Sequence, residues 1–151
     1  MPISSASVRV GVALTLALAV CVLAGAAPAG PDATGNRFFE AVRRHDYGQA
    51  YGLLSEGVRR DLPYPVFAQR SRDITWFQVL ELQAIERGRH LARYRVRGRV
   101  KMVHRGDLFN AVYAGTVSLS LDDGAWRIRQ VELRPVEQKR LGKAPPAYQK
   151  I

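Results

Sequence analysis

The chain has 151 residues, a formal net charge of +10 and 47% hydrophobic residues. That length leaves room for one domain with a real core once a leader is set aside. Cys21 is the single cysteine, which excludes an intrachain disulfide and any site built on several thiolates.

The first seven residues are polar and free of acids, and Arg9 is the one charged side chain before residue 31. From Val10 to Ala27 the chain is uncharged and rich in Leu, Val and Ala, and it leaves through Ala24-Gly25-Ala26-Ala27-Pro28-Ala29-Gly30. Charge, apolar run and small-residue exit are the three parts of a secretory signal, and both Ala24-Gly25-Ala26 and Ala27-Pro28-Ala29 suit a signal peptidase. Two other fates fit the same residues. An apolar run of about 18 residues is at the short end of what spans a bilayer, so segment 1–30 also reads as an uncleaved anchor helix. Leu18-Ala19-Val20-Cys21 resembles a bacterial lipobox, which would lipidate Cys21; Val20 departs from the small residue that pattern wants. In each case the expectation is export, to the periplasm, the cell envelope or the outside, with a mature domain that carries no thiol.

Residues 31–35 read as a short linker. A first helix is expected from the cap Asn36 through Phe38-Phe39-Glu40-Ala41-Val42, a break at His45, and a second helix capped by Asp46 that carries Ala50, Tyr51, Leu53 and Leu54. Ser55-Glu56-Gly57 and Leu62-Pro63 punctuate the next stretch, and Pro65 to Arg70 form a third short helix. The period then changes to two. Strands are expected over 75–85, 92–102, 108–121 and 125–133, with turns at Gly88, Arg105-Gly106-Asp107 and Asp122-Asp123-Gly124. The phase slips between Ile128 and Val131, which predicts a β-bulge. Residues 135–151 read as a loose tail. Helices first and tight-turned strands after make an α+β domain, with the helices on an antiparallel sheet.

The residues Phe38-Phe39-Glu40-Ala41-Val42, then Asp46-Tyr47-Gly48-Gln49-Ala50-Tyr51-Gly52-Leu53-Leu54-Ser55, resemble the opening of NTF2-like (cystatin-like) domains. Asp123-Gly124-Ala125-Trp126-Arg127-Ile128 is similar to the closing strand of that superfamily. The resemblance covers residues 36–134 and is nearest to small secreted or lipid-anchored bacterial members without a known role. It implies a cone of helices wrapped by a curved sheet with a pocket between, and no particular reaction, since the fold carries enzymes, binders and scaffolds.

The enzymatic branches place an Asp–His pair, or a Tyr and an Asp, inside the cone. Here His45, His90 and His104 fall at breaks, turns or strand ends, and Asp46, Asp61, Asp107, Asp122 and Asp123 fall at caps and hairpins. No catalytic residue is therefore assigned, and no metal-ligand spacing or cofactor motif is present. Tyr51, Trp76, Tyr94 and Tyr113 are the candidates to line a pocket for a small molecule, with core packing as their alternative role.

Arg93, Arg95, Arg97, Arg99 and Lys101 alternate with Tyr94, Val96 and Val100, so five cations share one face of a strand. A row of cations cannot be buried unpaired. Two readings stand side by side: a solvated face partly neutralised by Glu81, Glu86 and Glu132, or a docking surface for anionic lipid, cell-wall polymer or an acidic protein. Export and the absence of an interleaved aromatic platform argue against nucleic acid. Like charges oppose homodimerisation through this face. The functional expectation is a non-catalytic envelope-binding or accessory domain; the alternative is a small-molecule hydrolase, isomerase or dehydratase using the cone pocket.

Overall fold

A computed structural model describes residues 29–148; the export segment and Cys21 lie outside the described residues. Four helices, α1 (Pro31–Arg43), α2 (Tyr47–Gly52), α3 (Glu56–Asp61) and α4 (Tyr64–Arg72), precede four strands, β1 (Ile74–Arg87), β2 (Leu91–His104), β3 (Asp107–Asp122) and β4 (Ala125–Lys143). The strands form one antiparallel sheet in the order β1-β2-β3-β4. The α+β layout with helices before the sheet is the one expected.

Three local expectations are corrected. The expected linker 31–35 is the first part of α1, not a lead-in to it. Pro31 presets a helical φ at a position with no N–H to lose, and Asp32 in the first turn complements the helix dipole. The stretch after Ser55 is helical because Ser55 is a cap: its hydroxyl accepts from the Val58 N–H at 3.4 Å. The tail does not begin at residue 135. β4 runs to Lys143, because β3 is 16 residues long and its far half offers an unpaired backbone edge. Pro135 is tolerated there because β4 is itself an edge strand. Asp107 then holds the end of β4 through Arg140 at 2.9 Å and Lys143 at 3.1 Å.

Other readings hold. Asp46 caps α2 by accepting from the Gln49 N–H at 3.0 Å. His45 stops α1 at φ 60°. Arg105-Gly106 and Asp123-Gly124 have positive φ at both positions, as tight hairpins need. The slip in β4 is a register shift at Ser118/Leu119 that leaves Arg129 unpaired.

The helices cover one face of the sheet. Phe38, Phe39, Val42, Leu53 and Phe67 bury against Phe77, Tyr94, Val96, Val117, Leu119 and Ile128. Leu54 bridges Ile128 in parallel, through Ser55 N–H to Ile128 O and Ile128 N–H to Leu53 O, each 2.8 Å. The helical layer is thereby tied to the rim of β4.

Both edge strands are broken by bulges. In β1 the unpaired residues are Thr75, Leu80 and Ile85; in β4 they are Arg129, Val136 and Leu141. Leu80, Ile85, Val136 and Leu141 are also among the exposed large apolar residues. The bulges reconcile a sequence that does not alternate evenly. The shift between Ala84 and Glu86 turns Gln83 and Glu81 outward, and the next, between Val79 and Glu81, returns Phe77 to the core. Bulged edges also resist pairing with another sheet.

Candidate functional site

Two regions have the make-up of a site: a cavity on the helical side and the uncovered outer face of the sheet. The cavity, about 260 Å³, lies between α1, α3, α4 and β4 and is lined by Phe38, Leu54, Val58, Leu62, Phe67, Ile128, Gln130 and Val131. Gln130 is the single polar residue of that lining. Such a space can hold an apolar group with one hydrogen bond, and its walls supply no general acid or base. An open cleft of about 580 Å³ between α3 and the β3–β4 hairpin mixes Arg59, Arg127 and Arg129 with Glu56, Asp61, Asp122 and Asp123. Arg127 is spent there on the Gly52 carbonyl at 2.6 Å.

None of the four aromatic pocket candidates lines the apolar cavity. Tyr51 meets Tyr64 edge to face and Phe67 at a tilt, and donates to the Arg59 carbonyl at 3.1 Å. Tyr113 is half-buried, with its hydroxyl on Met102 Sδ at 3.6 Å. Trp76 is not on the cone interior: it stands opposite Lys101 on the outer face, with Lys101 Nζ 5.7 Å from the ring centroid. Tyr94 is fully buried and donates to the Asp32 carboxylate, which also accepts from Arg87 at 2.8 Å. Burial, then the hydrogen bond and charge of Asp32, push the Tyr94 phenol up to about 12. This is a Tyr–Asp pair, but Arg87 holds the carboxylate and the phenol is a weak acid, so the three groups act as a latch between α1 and the sheet.

The predicted cation row is real as a face. Arg93, Arg95, Arg97, Arg99 and Lys101 are all exposed, while Tyr94, Val96, Gly98 and Val100 between them are buried. Across β1 they stand opposite Glu86, Gln83, Glu81, Gln78 and Trp76; across β3 opposite Ser118, Thr116, Ala114, Val112 and Asn110. The β3 side chains are short, so they form a floor between the β2 cations and Glu132, Arg134, Glu137 and Lys139 on β4. Glu81 and Glu86 were expected as neutralising partners and do stand opposite Arg97 and Arg93. The ion pair that forms is Arg97 with Glu137, at 3.3 Å. Glu137, Arg134 and Lys139 are not legible as part of this face from the sequence, because the far half of β4 is polar and has the composition of a tail. The alternation of Leu133, Pro135 and the charged residues around them is the signal that could have found it.

Helices on a bulged, four-stranded antiparallel sheet with the core between them are the NTF2-like fold, and the chain has that fold. Solved structures share it. A Streptomyces avermitilis protein of the NTF2-like family, assigned as a dehydratase, matches at TM-score 0.53 and 12% identity over 71% of this chain and 99% of its own. A Thiobacillus denitrificans protein assigned as a calcium/calmodulin-dependent protein kinase type II association domain matches at 0.56 and 10%, over 73% and 98%. A ketosteroid isomerase-like protein from Erwinia carotovora atroseptica matches at 0.52 and 12%, over 71% and 94%. No family model and no curated protein matches the sequence. These likenesses carry the fold, and the fold is compatible with an enzyme or a binding domain.

Proposed function

We propose that the chain is an exported, non-catalytic binding or accessory domain of the cell envelope that contacts an anionic partner through the outer face of its sheet. The observation that carries this reading is the β2 row. Five cations from Arg93 to Lys101 are exposed on one face, and among the described residues only Arg97 of the five is in an ion pair. An exposed pair of that kind holds its partners weakly, so an anionic ligand can compete for it. The leader-like residues 1–30 favour envelope polymers and lipid headgroups over nucleic acid as the source of negative charge.

The enzyme alternative draws on the dehydratase and isomerase-like names of the fold neighbours. It would need ionisable groups at the apolar cavity, where the lining offers Gln130. The binding reading is therefore preferred.

The test is retention of the full chain on phosphatidylglycerol vesicles and on immobilised sugar-phosphate polymer near physiological salt. Arg95→Ser, Arg97→Ser and Arg99→Ser together should abolish retention, and salt should weaken it in the native chain. Equal retention of native and triple-substituted protein overturns the reading. Mass spectrometry of the mature N-terminus from the cell distinguishes cleavage, lipidation at Cys21 and retention as an anchor.

A further inference from the structure

We infer that the Trp76 end of the outer face is a binding corner for an anionic sugar unit, which names the ligand class of the contact surface proposed above and rests on that proposal. Two adjacent cross-strand rows build the corner. One runs Trp76, Lys101, Asn110, Lys139; the next runs Gln78, Arg99, Val112, Glu137. Directly opposed residues on neighbouring strands share a face and touch.

The positive charge of the outer face is unevenly usable. Arg93 stands opposite Glu86, and Arg97 stands opposite Glu81 and is paired with Glu137. The three cations of the corner, Arg99, Lys101 and Lys139, have no carboxylate within ion-pair distance among the described residues, Glu137 being turned to Arg97. A planar bilayer pressed on this face would also meet Glu81, Glu86, Glu132 and Glu137, which argues against a lipid surface. A single acidic unit docked at the corner avoids Glu81, Glu86 and Glu132, and the one carboxylate in its rows, Glu137, is turned to Arg97.

The neutral residues define what that unit is. Trp76 is 39% exposed, with Lys101 Nζ over its ring. It offers an aromatic surface to the C–H side of a sugar ring and puts a cation where an acid substituent on that ring would fall. Asn110 sits between the two lysines, and its Oδ1 is buried with no hydrogen-bond partner. Folded proteins rarely leave a buried amide oxygen unmet. A sugar hydroxyl reaching between the lysine side chains supplies the missing donor, and Gln78, two residues from Trp76 on β1, offers a second amide at the other side of the corner. Ring plane, amides and cations together match a hydroxylated ring that bears a carboxylate or phosphate better than they match phosphate alone.

Trp76 is also the reporter. Titrating the full chain with an oligogalacturonate should quench tryptophan emission saturably, and the neutral galactose oligomer should not. Trp76→Ala should remove the response and the binding measured by calorimetry. Asn110→Asp keeps the fold, because Lys101 and Lys139 flank the new charge, and should weaken binding about tenfold or more. Arg93→Ser, at the far end of the row, should change affinity by less than about twofold. Oligogalacturonate binding that survives Trp76→Ala and Asn110→Asp but is lost in the Arg95/Arg97/Arg99 triple variant removes the corner and leaves the proposed contact surface standing. Equal binding of the neutral oligomer, or response only to anionic vesicles or oligothymidylate, also overturns it. No binding to any anionic probe removes both proposals.

Discussion

The phenol of Tyr94, near the start of β2 on its buried face, donates to the carboxylate of Asp32, in the first turn of α1 and 62 residues earlier in the chain. Arg87 completes the latch from the end of β1. One hydrogen-bonded group thus joins the start of the helical layer to two strands, at the point where the chain enters the domain.

Removing the latch donor should cost stability while leaving the fold. Tyr94→Phe keeps the ring in the core and deletes a hydrogen bond to a charged acceptor, worth about 1 to 2 kcal/mol because Asp32 remains open to water. The urea midpoint should fall accordingly, and the amide protection of α1 should fall with it. An unchanged midpoint would show that the latch is energetically idle.

The same group gives an alkaline signature. The folded phenol is raised from 10.0 to about 12, so the fold favours its neutral form. That contribution is complete below the ordinary tyrosine value, shrinks as pH rises beyond it, and is gone above the folded value. The stability gap between the native chain and Tyr94→Phe should therefore close between about pH 9 and pH 12. A gap that stays constant across that range contradicts it.

Gly115 should be close to irreplaceable. A Cβ there would lie 1.8 Å from the Glu132 carbonyl oxygen, and that oxygen belongs to the neighbouring strand's backbone. Gly115→Ala should cost about 3 kcal/mol or more, since β3 and β4 must separate to admit it. Gly98→Ala meets the Phe77 ring at 3.0 Å, a side chain that can rotate, and should cost about 1 kcal/mol. Thermal melts of the two variants test the order.

The far end of β4 should fray in acid before the domain unfolds. Hydrogen bonds from Arg140 and then Lys143 hold the Asp107 carboxyl below its ordinary value. Its contribution is present at neutral pH and is lost as pH falls through that depressed value. Asp107→Asn should mimic the acid state at neutral pH. Hydrogen exchange over residues 137–143 should speed up, with little change in global stability because the ion pairs are exposed to solvent. Unchanged exchange there would mean that backbone pairing alone holds the strand.

Much of the fold was legible because it rests on local rules. Alternation located β2 and β3, aromatic and β-branched content located β1, and positive-φ turn residues located two hairpins and with them the start of β4. Asp46 announced a helix cap. Ser55 announced one too, but Gly57 beside it reads as a break when packing is unknown. Residues 31–35 look like linker for the same reason: Thr34 and Gly35 are weak helix formers, and they become helical because they bury against the sheet, with Leu82 3.8 Å from where a Gly35 Cβ would stand. Residues 135–143 are polar, and their strand exists because β3 presents a free edge to pair with. The candidate site divides in the same way. The cation face was visible in one strand's alternation, whereas Trp76, Asn110 and Lys139 come from three other strands, and only the pairing registers bring them into one row.

By itself the sequence determined the leader-like residues 1–30, the helix-then-strand order and the shared face of Arg93 to Lys101, since charge, apolar runs and two-residue periodicity are properties of short segments. The tertiary structure decided which cations are neutralised, where Trp76 points and how long β4 is. Those depend on bulges and cross-strand registers, which are set by what lies opposite in space and not by what lies adjacent in the chain.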